Sequence, residues 1–312
     1  MKHLQPKVNN TGFADNGSTV GNRLVKKDGT PNTRRVGVPF WQSKSWFHTL
    51  LKMSWSQFIG VLFWGFVISN LVFTVFYYLV GVHHLNGIVP LHSIDTVTRV
   101  FFFSVQTFTT VGYGHISPDG FAASAISSLE AFCGLLYFAL ATGLLYGRFS
   151  KPSAYIKFST IGLVTPYEGG MALMLRLVPY KNNHLTEAAV RLSLALEEEV
   201  NGKIRTNFYQ LKTEIDKINS LVLSWTIVHP ITDDSPLYSF TAGDFATRKY
   251  ELLVYIRAFD ETFSNTVVAR TSYLNSEFVY NAKFEPIYSL SSEQGSTLVN
   301  IHKLSLYKQL GG

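Results

Sequence analysis

The sequence predicts an α+β membrane protein in which two membrane-spanning helices precede a β-sandwich. The segments 58–82 and 121–148 are apolar over more than the ~20 residues that a helix needs to cross a hydrocarbon core. From Tyr155 onward, apolar and polar residues alternate with a period of two, which is typical of half-buried strands. Because several short strands follow one another between residues 153 and 312, we expect a β-sandwich there.

The charge is unevenly distributed along the chain. Residues 1–151 contain 12 Lys and Arg against 5 Asp and Glu, whereas residues 152–312 contain 15 against 16. A basic excess in the membrane half is typical of loops that stay in the cytoplasm, so we favour this explanation over nucleic-acid binding. It predicts a multi-pass membrane protein with both termini in the cytoplasm. The single cysteine, Cys133, excludes an intrachain disulfide and fits a reducing compartment.

Two elements are predicted before the first span. Residues 1–38 are polar and lack a periodic apolar pattern, which indicates a flexible cytoplasmic arm. Residues 39–57 alternate aromatic residues and leucine with lysine and histidine, which is typical of an amphipathic helix along the membrane interface. The alternative is that this stretch forms the cytoplasmic start of a longer spanning helix.

A shorter helix is predicted between the two spans. The loop after the first span, 83–90, contains no Lys or Arg and therefore faces away from the cytoplasm. Ser93 can cap a helix over 94–108, and Asp95 complements its positive end. Because this helix is too short to cross the membrane and contains Arg99, we expect a re-entrant pore helix whose carboxyl end faces a water-filled pore.

The stretch that follows, 109–114, carries the motif Thr-Val-Gly-Tyr-Gly. Loops of this sequence form potassium selectivity filters, in which backbone carbonyl oxygens replace the hydration shell of the ion. Glycine alternates with larger residues because the carbonyls can converge only if some residues adopt dihedral angles closed to most L-amino acids. The alternative is a chance match in a glycine turn between strands, but irregular backbone at membrane depth is tolerated only where it lines a cavity. The motif therefore predicts that permeant K⁺ ions bind along Thr110, Val111, Gly112, Tyr113 and Gly114.

The second span contains five residues that we assign to the ion pathway. Glu130 is its one carboxylate, and it either attracts cations into the inner cavity or bonds polar groups behind the filter. The others recur every fourth residue along one helix face: Gly134, Phe138, Thr142 and Tyr146. Gly134 weakens the helix backbone, Thr142 faces the inner cavity, and four copies of Tyr146 can close a pore by crowding. The alternative for Tyr146 is an aromatic side chain that faces lipid at the interface.

Residues 153–312 contain no catalytic or cofactor-binding pattern. A glycine-rich nucleotide loop, a metal-spaced cluster of Cys and His, and a nucleophile elbow are all missing from this sequence. His229 stands alone among its neighbours, so we expect a structural role for it. The sequence therefore predicts a protein that is not an enzyme and has no organic cofactor.

Several motifs together resemble the inward rectifier potassium channels, particularly their prokaryotic members. Beyond the filter they are Lys-Asp-Gly-Thr-Pro-Asn at 27–32, Ser-Lys-Pro at 150–152, Trp-Thr-Ile-Val-His-Pro at 225–230, Ser-Pro-Leu-Tyr at 235–238 and Ala-Arg-Thr-Ser-Tyr-Leu at 269–274. The resemblance implies a homotetramer with one filter strand per subunit and a cytoplasmic immunoglobulin-like sandwich that extends the pore. It also implies a gate at Tyr146, where the inner helices cross, and a hinge at Gly134.

The resemblance also implies how the channel is blocked and regulated. Phe138 lies where strongly rectifying members carry an acidic residue that helps bind polyamines and Mg²⁺, which implies weak rectification. Glu187 and Glu277 match acidic positions of the family's cytoplasmic pore, so some attraction of cations is expected there. The family is regulated by anionic phospholipids. The candidate lipid-binding residues are basic residues near the cytoplasmic interface: Lys44, Lys52, Arg148, Lys151 and Lys157. The alternative is that their charges serve only to set the topology.

Two other classes of protein share parts of this pattern. A potassium-transporter subunit would carry four filter-like repeats in one chain, and this sequence contains one. A membrane-anchored sensor would use the sandwich to bind a small ligand and the spans as an anchor. Because one motif supplies a quarter of a fourfold ion site, the channel prediction requires four chains.

Overall fold

The computed structural model describes residues 23–34, 36–37, 39, 45–88, 93–200, 202–290 and 297–311. The chain divides into two compact units. One is helical and comprises Val36–Lys151, and the other comprises Met1–Arg35 together with Pro152–Gly312. The helical unit contains the predicted ion pathway, and the second unit contains the predicted strands.

The described residues of the helical unit contain four α-helices. A short helix, Trp46–Lys52, precedes the outer helix, Trp55–Val80; the middle helix is Ser93–Phe108 and the inner helix is Gly120–Phe149. Within the described part of the chain, the outer and inner helices are the two that are long and apolar enough to cross a membrane. The outer helix begins three residues before the predicted 58–82 and ends two residues earlier, and the inner helix extends one residue beyond 121–148 at each end.

The short helix differs from the predicted interfacial helix over 39–57. It has seven residues, and Lys44 lies outside the residues that the structure describes. Met53 and Ser54 adopt extended backbone angles, and the Ser54 hydroxyl caps the outer helix by accepting from the Gln57 N–H at 3.3 Å. This stretch is therefore a separate helix, and the alternative of one continuous helix is wrong.

Aromatic side chains hold the three longer helices together. Tyr77 of the outer helix stacks edge-on against Phe103 of the middle helix, with ring centroids 5.2 Å apart. Phe108, at the end of the middle helix, lies 5.7 Å from the rings of Phe66 and Tyr137, which belong to the other two helices. Burial of such rings supplies both packing area and a preferred geometry, so the middle helix is fixed between its neighbours.

The loops on either side of the middle helix are joined by a two-residue ladder. β1 (Leu85–Asn86) pairs antiparallel with β2 (Ser117–Pro118). Gly87 adopts φ +88°, and a Cβ there would lie 1.9 Å from the His115 carbonyl oxygen. The chain after 109–114 is therefore held beside the end of the outer helix, so both ends of the predicted filter are anchored.

The second unit is built from strands β3 to β16. Their bounds are Ile156–Phe158, Gly162–Tyr167, Gly170–Pro179, Leu185–Val200, Lys203–Leu211, Lys217–Ser220, Trp225–Pro230, Tyr250–Asp260, Asn265–Leu274, Phe278–Tyr280, Ala282–Phe284, Tyr288–Leu290, Thr297–Val299 and Tyr307–Gln309. A short helix, Ala242–Thr247, lies between β9 and β10.

Two five-stranded sheets form the framework of this unit. The first has the order β11-β10-β6-β7, with β8 also paired to β6, and the second has the order β12-β4-β5-β3, with β9 also paired to β5. Leu175 of β5, Leu194 of β6 and Leu252 of β10 belong to one buried apolar core shared by the two sheets. The unit is therefore a β-sandwich. Strands β6 and β7 form a hairpin, because Val200 pairs with Lys203 on either side of the sequence Asn-Gly at 201–202, which is typical of hairpin turns.

Residues 23–32, called the strap below, lie on the face of the first sheet opposite to the core. The N–H groups of Leu24 and Val25 donate to the Glu251 carboxylate at 2.6 and 3.1 Å, and the Ser272 hydroxyl donates to the Val25 carbonyl. The prediction of a flexible arm through residue 38 is therefore wrong for the strap. Backbone groups of the strap form hydrogen bonds with side chains of the sheet. The composition of the strap alone does not reveal these partners.

Candidate functional site

The predicted filter follows directly after the middle helix. The Val111 N–H donates to the Gln106 carbonyl at 2.9 Å, so the backbone leaves the helix through a tight turn. Alternate residues then adopt left-handed backbone angles, with φ of +60° at Thr110, +52° at Gly112 and +82° at Gly114. This alternation lets successive carbonyls point towards one side. A glycine turn between two strands does not fit, because a helix precedes this stretch.

The side chains of the filter have few partners within the chain. Val111 is 54% exposed and Tyr113 is 76% exposed. A Cβ added to Gly112 or Gly114 would meet no atom within 4 Å. A single chain therefore leaves this backbone uncovered, and an exposed apolar surface of this kind marks a site of interaction.

Glu130 is buried inside the helical unit. The Tyr77 hydroxyl donates to one carboxylate oxygen at 2.6 Å, and the Ser104 hydroxyl donates to the other. Its side chain is fully inaccessible in a single chain, and assembly with further copies can only bury it more. The assignment of Glu130 to the inner cavity is therefore wrong, and the alternative of a partner for polar groups behind the filter holds. A carboxylate at this depth requires such donors.

The same network reaches the backbone of the outer helix. The Ser104 hydroxyl also lies 3.1 Å from both the side-chain oxygen and the carbonyl of Asn70. The Thr74 hydroxyl donates to that carbonyl at 2.7 Å. Glu130, Ser104 and Asn70 thus connect the inner, middle and outer helices through hydrogen bonds. The middle helix leads directly into the filter.

Gly134 allows the inner helix to approach the start of the filter. A Cβ at this position would lie 1.9 Å from the Phe108 carbonyl oxygen and 3.1 Å from the Phe108 Cα. Both atoms belong to backbone, which cannot move aside as a flexible side chain can. Close packing therefore requires glycine here, independently of the predicted hinge.

The lower part of the same helix face is exposed in a single chain. Phe138 is 44% exposed, Thr142 is exposed and Tyr146 is 73% exposed. The upper end of this face, at Gly134, is buried against the middle helix. Phe138, Thr142 and Tyr146 thus follow Gly134 along one side of the inner helix, towards its carboxyl end.

The basic residues assigned to lipid differ in their surroundings. The Arg148 guanidinium donates to the carbonyl of Leu50 at 2.9 Å and to that of Met53, and it lies 4.7 Å from the centroid of the Trp55 ring. Arg148 is therefore already bound within the helical unit, where it links the end of the inner helix to the junction before the outer helix. The other described candidates are exposed: Lys52, Lys151 and Lys157.

The two acidic residues assigned to a cytoplasmic pore are each paired. Glu187 adopts φ +49° in β6, is well exposed and lies 3.3 Å from Lys217. Glu277 forms ion pairs with Arg23 and Lys27 of the strap and is mostly buried. These ion pairs compensate the charge of Glu277, which leaves it less able to attract cations than an unpaired carboxylate. Glu187 is the more exposed of the two candidates.

No metal site is found among the described residues, since they contain no group of three or more His, Cys, Asp or Glu that could hold an ion. His229 is fully buried, with its two ring nitrogens 2.5 Å from the Lys212 carbonyl and 2.9 Å from the Ser235 hydroxyl. Burial lowers the pKa of His229 below its usual value. Its role is structural.

Three contributors to the site were missed in the sequence. Tyr77 and Ser104 hold Glu130, and the Phe108 carbonyl sets the need for Gly134. The sequence does contain a signal for Tyr77. Asn70, Thr74 and Tyr77 recur at helical spacing on an otherwise apolar helix, which indicates one polar stripe. The contact with Phe108 has no signature in sequence, because it is made by a backbone atom.

The helical unit has two helices that are long and apolar enough to span a membrane, with a shorter helix and the Thr-Val-Gly-Tyr-Gly backbone between them. This arrangement is typical of proteins that form a membrane pore. A family model described as ion channel matches residues 61–151, and one described as inward rectifier potassium channel C-terminal domain matches residues 156–310. The chain belongs to the inward rectifier potassium channel family. It is therefore a channel protein and not an enzyme.

Individual relatives agree with this family. The chain is 32% identical over 272 residues to the inward rectifier potassium channel Kirbac3.1 of Paramagnetospirillum magnetotacticum, covering 86% of this chain and 90% of the relative. It is 29% identical to the inward rectifier potassium channel irk-1 of Caenorhabditis elegans, covering 88% of this chain and 54% of that relative. A solved structure of the sporulation control protein Spo0M from Bacillus subtilis aligns with a TM-score of 0.19 and 12% identity, over 38% of this chain and 49% of that one, and bears on neither fold nor function.

Proposed function

We propose that four copies of this chain form a potassium channel of the cell inner membrane, with both termini in the cytoplasm. The observation that carries the proposal is the left-handed backbone at Thr110, Gly112 and Gly114, directly after the middle helix. Dehydrated K⁺ would bind the carbonyls of Thr110 through Tyr113, which hold a monovalent cation without any charged side chain. Four chains are needed because one chain leaves this backbone uncovered.

Flux through reconstituted liposomes tests this function. We expect K⁺ flux that Ba²⁺ blocks and that Gly112→Asp abolishes, because glycine adopts this left-handed backbone without cost and the substitution adds four charged carboxylates to a filter that has no charged side chain. Gly169→Asp is the matched control: Gly169 also has a left-handed backbone, φ +78°, and a Cβ added there would meet no atom within 4 Å, but it lies in the β4–β5 turn. A monomer in mild detergent, or flux that survives Gly112→Asp, contradicts the proposal. No flux in any lipid or at any pH favours the membrane-anchored sensor.

The gate is proposed at Tyr146, with Phe138 and Thr142 above it on the same helix face. Removing the ring should widen and wet a closed pore, so Tyr146→Ala should raise resting K⁺ flux several-fold. Leu140→Ala is the control, since Leu140 is as exposed as Tyr146 but lies on another side of the helix. Equal flux from Tyr146→Ala and wild-type protein would place the gate elsewhere.

Weak rectification is proposed from Phe138, which offers no carboxylate to a polyamine or to Mg²⁺. Glu187 is the acidic candidate that stays exposed, and Lys217 lies beside it. Current–voltage curves with spermine on the cytoplasmic side should therefore be close to symmetric. Strong voltage-dependent block by spermine would contradict this part of the proposal.

Regulation by anionic phospholipids and by the sandwich unit is also proposed. Lys52, Lys151 and Lys157 are the exposed basic candidates, whereas the guanidinium of Arg148 already has two carbonyl partners. Lysine near a membrane surface attracts anionic headgroups by roughly 1 kcal/mol per residue. Flux measured with and without phosphatidylglycerol should differ, and the difference should shrink when these lysines are replaced by glutamine. Equal flux in both lipids would leave them as topology-setting charges.

A further inference from the structure

A cavity of about 340 Å³ lies between the strap and the first sheet. Two arginines line it, Arg191 of β6 and Arg270 of β11, and the strap contributes Val25, Gly29 and Pro31. None of the residues that line the cavity is acidic. Its walls therefore bring two positive charges together in one cavity that is open to solvent on one side, where both arginines are exposed.

The two arginines flank a tyrosine in one row across the sheet. Arg191 pairs with Tyr255, and Tyr255 pairs with Arg270, on adjacent strands β6, β10 and β11. Side chains in such a row project from the same face of the sheet. The Arg270 guanidinium carbon lies 5.1 Å from the centre of the Tyr255 ring. Ser193 and Gln210, which pair on β6 and β7, add a hydroxyl and an amide to the same cavity.

The charges of these arginines are not compensated within the part of the chain that the structure describes. No carboxylate there forms a salt bridge with Arg191 or Arg270. Arg23 and Lys27 of the nearby strap, by contrast, are both paired with Glu277. Two uncompensated guanidinium groups in one cavity produce a positive potential that attracts an anion.

The strap closes directly over this row. Gly29 adopts φ +80°, and a Cβ at that position would lie 2.5 Å from the Arg270 carbonyl oxygen. The turn of the strap is closed by a hydrogen bond from the Gly29 N–H to the Lys26 carbonyl at 2.9 Å. A ligand in the cavity would therefore touch the strap and the sheet at the same time.

We infer that this cavity binds a small phosphate monoester. Guanidinium groups bind phosphate oxygens through paired, charge-assisted hydrogen bonds, and lysine provides no such planar fork. The Ser193 hydroxyl and the Gln210 amide can donate to further oxygens, and the Tyr255 ring provides a surface for an apolar part of the ligand. A volume of about 340 Å³ lies within the range of small-molecule sites, roughly 300–1,000 Å³. The phosphate can belong to a soluble metabolite or to a lipid headgroup.

Titration of the full-length protein with phenyl phosphate, at constant ionic strength in nanodiscs of zwitterionic lipid, tests this inference. We expect saturable binding by calorimetry and slower amide hydrogen exchange in residues 24–31. Arg191→Gln and Arg270→Gln should each weaken binding about tenfold, the effect of losing one charge-assisted contact. Arg205→Gln, an exposed arginine of β7 outside the cavity, should bind like the wild type.

Two outcomes overturn the inference. One is that phenyl phosphate does not bind the wild type saturably. The other is that it binds the double variant Arg191→Gln/Arg270→Gln as tightly as the wild type, while gel filtration shows the same elution for both proteins. A second arm uses nanodiscs with phosphatidic acid and no phenyl phosphate. Arginine-dependent protection of the strap in that arm assigns the phosphate to a lipid headgroup, whereas protection with phenyl phosphate but not with phosphatidic acid assigns it to a soluble ligand. Because binding and exchange are measured without K⁺ flux, failure here leaves the channel proposal unaffected.

Discussion

Replacing Glu130 by leucine is expected to destabilise the helical unit and impair the filter, whereas replacement by glutamine is not. The carboxylate accepts from Tyr77 of the outer helix and Ser104 of the middle helix. With leucine, Ser104 keeps Asn70 as an acceptor, but the buried Tyr77 hydroxyl loses the acceptor that the structure shows. Such an unsatisfied buried group costs about 1–3 kcal/mol. Thermal dissociation of the oligomer and K⁺/Na⁺ selectivity measure the two effects.

Glutamine is the matched control because it keeps the size and one acceptor oxygen, and a hydroxyl can rotate to accept from its amide. If Glu130 instead acted on ions by its charge, Glu130→Gln would lower K⁺ conductance as much as Glu130→Leu. A second comparison uses Tyr77→Phe in the Glu130→Leu background. It removes the orphaned hydroxyl, so part of the lost stability should return. Additive losses in the double variant would show that Tyr77 and Glu130 do not act together.

Replacing Gly134 by alanine is expected to disrupt the packing beneath the filter. The added Cβ would lie 1.9 Å from the Phe108 carbonyl oxygen, so the inner helix or the end of the middle helix must shift. Overpacking of this kind costs about 1–3 kcal/mol and occasionally more. Because Phe108 lies at the start of the filter segment, the shift should reduce K⁺/Na⁺ selectivity as well as thermal stability. Both are measured on purified, reconstituted protein.

Gly143→Ala provides the control on the same helix. A Cβ there meets no atom within 4 Å, and alanine favours a helix over glycine by about 1 kcal/mol, so stability should be kept. If Gly134 acted only as a hinge, Gly134→Ala would change the open probability of the channel, while K⁺/Na⁺ selectivity and the melting temperature would stay unchanged. That pattern would contradict the packing role that the structure assigns to Gly134.

The helices and the sandwich were predictable because their signals are local. The outer and inner helices each have an apolar run, and the ends of both lie within three residues of the predicted spans. The hairpin at 201–202 was predictable for the same reason, since its turn residues are adjacent in sequence. In each case, neighbouring residues carry enough information to determine the element.

Three outcomes that the sequence did not determine depend on contacts between residues far apart in the chain. Glu277 matched an acidic position of the family, but its neutralisation depends on Arg23 and Lys27, some 250 residues away. Glu130 allowed two predictions of equal weight, and Tyr77 and Ser104 decide between them. The strap was predicted to be flexible because its own residues bury little surface, whereas Glu251 and Ser272 bind its backbone. Such partners become known only when the fold brings them together.

The central claim is that four copies of this chain form a K⁺-selective pore at residues 110–114. The most direct test is the reversal potential of purified protein in a planar bilayer, with K⁺ on one side and Na⁺ on the other. We expect a strongly shifted reversal potential in the direction of the K⁺ equilibrium potential, with a current that Ba²⁺ abolishes. A current that reverses near zero under this gradient would show a pore that does not select K⁺, and would contradict the claim.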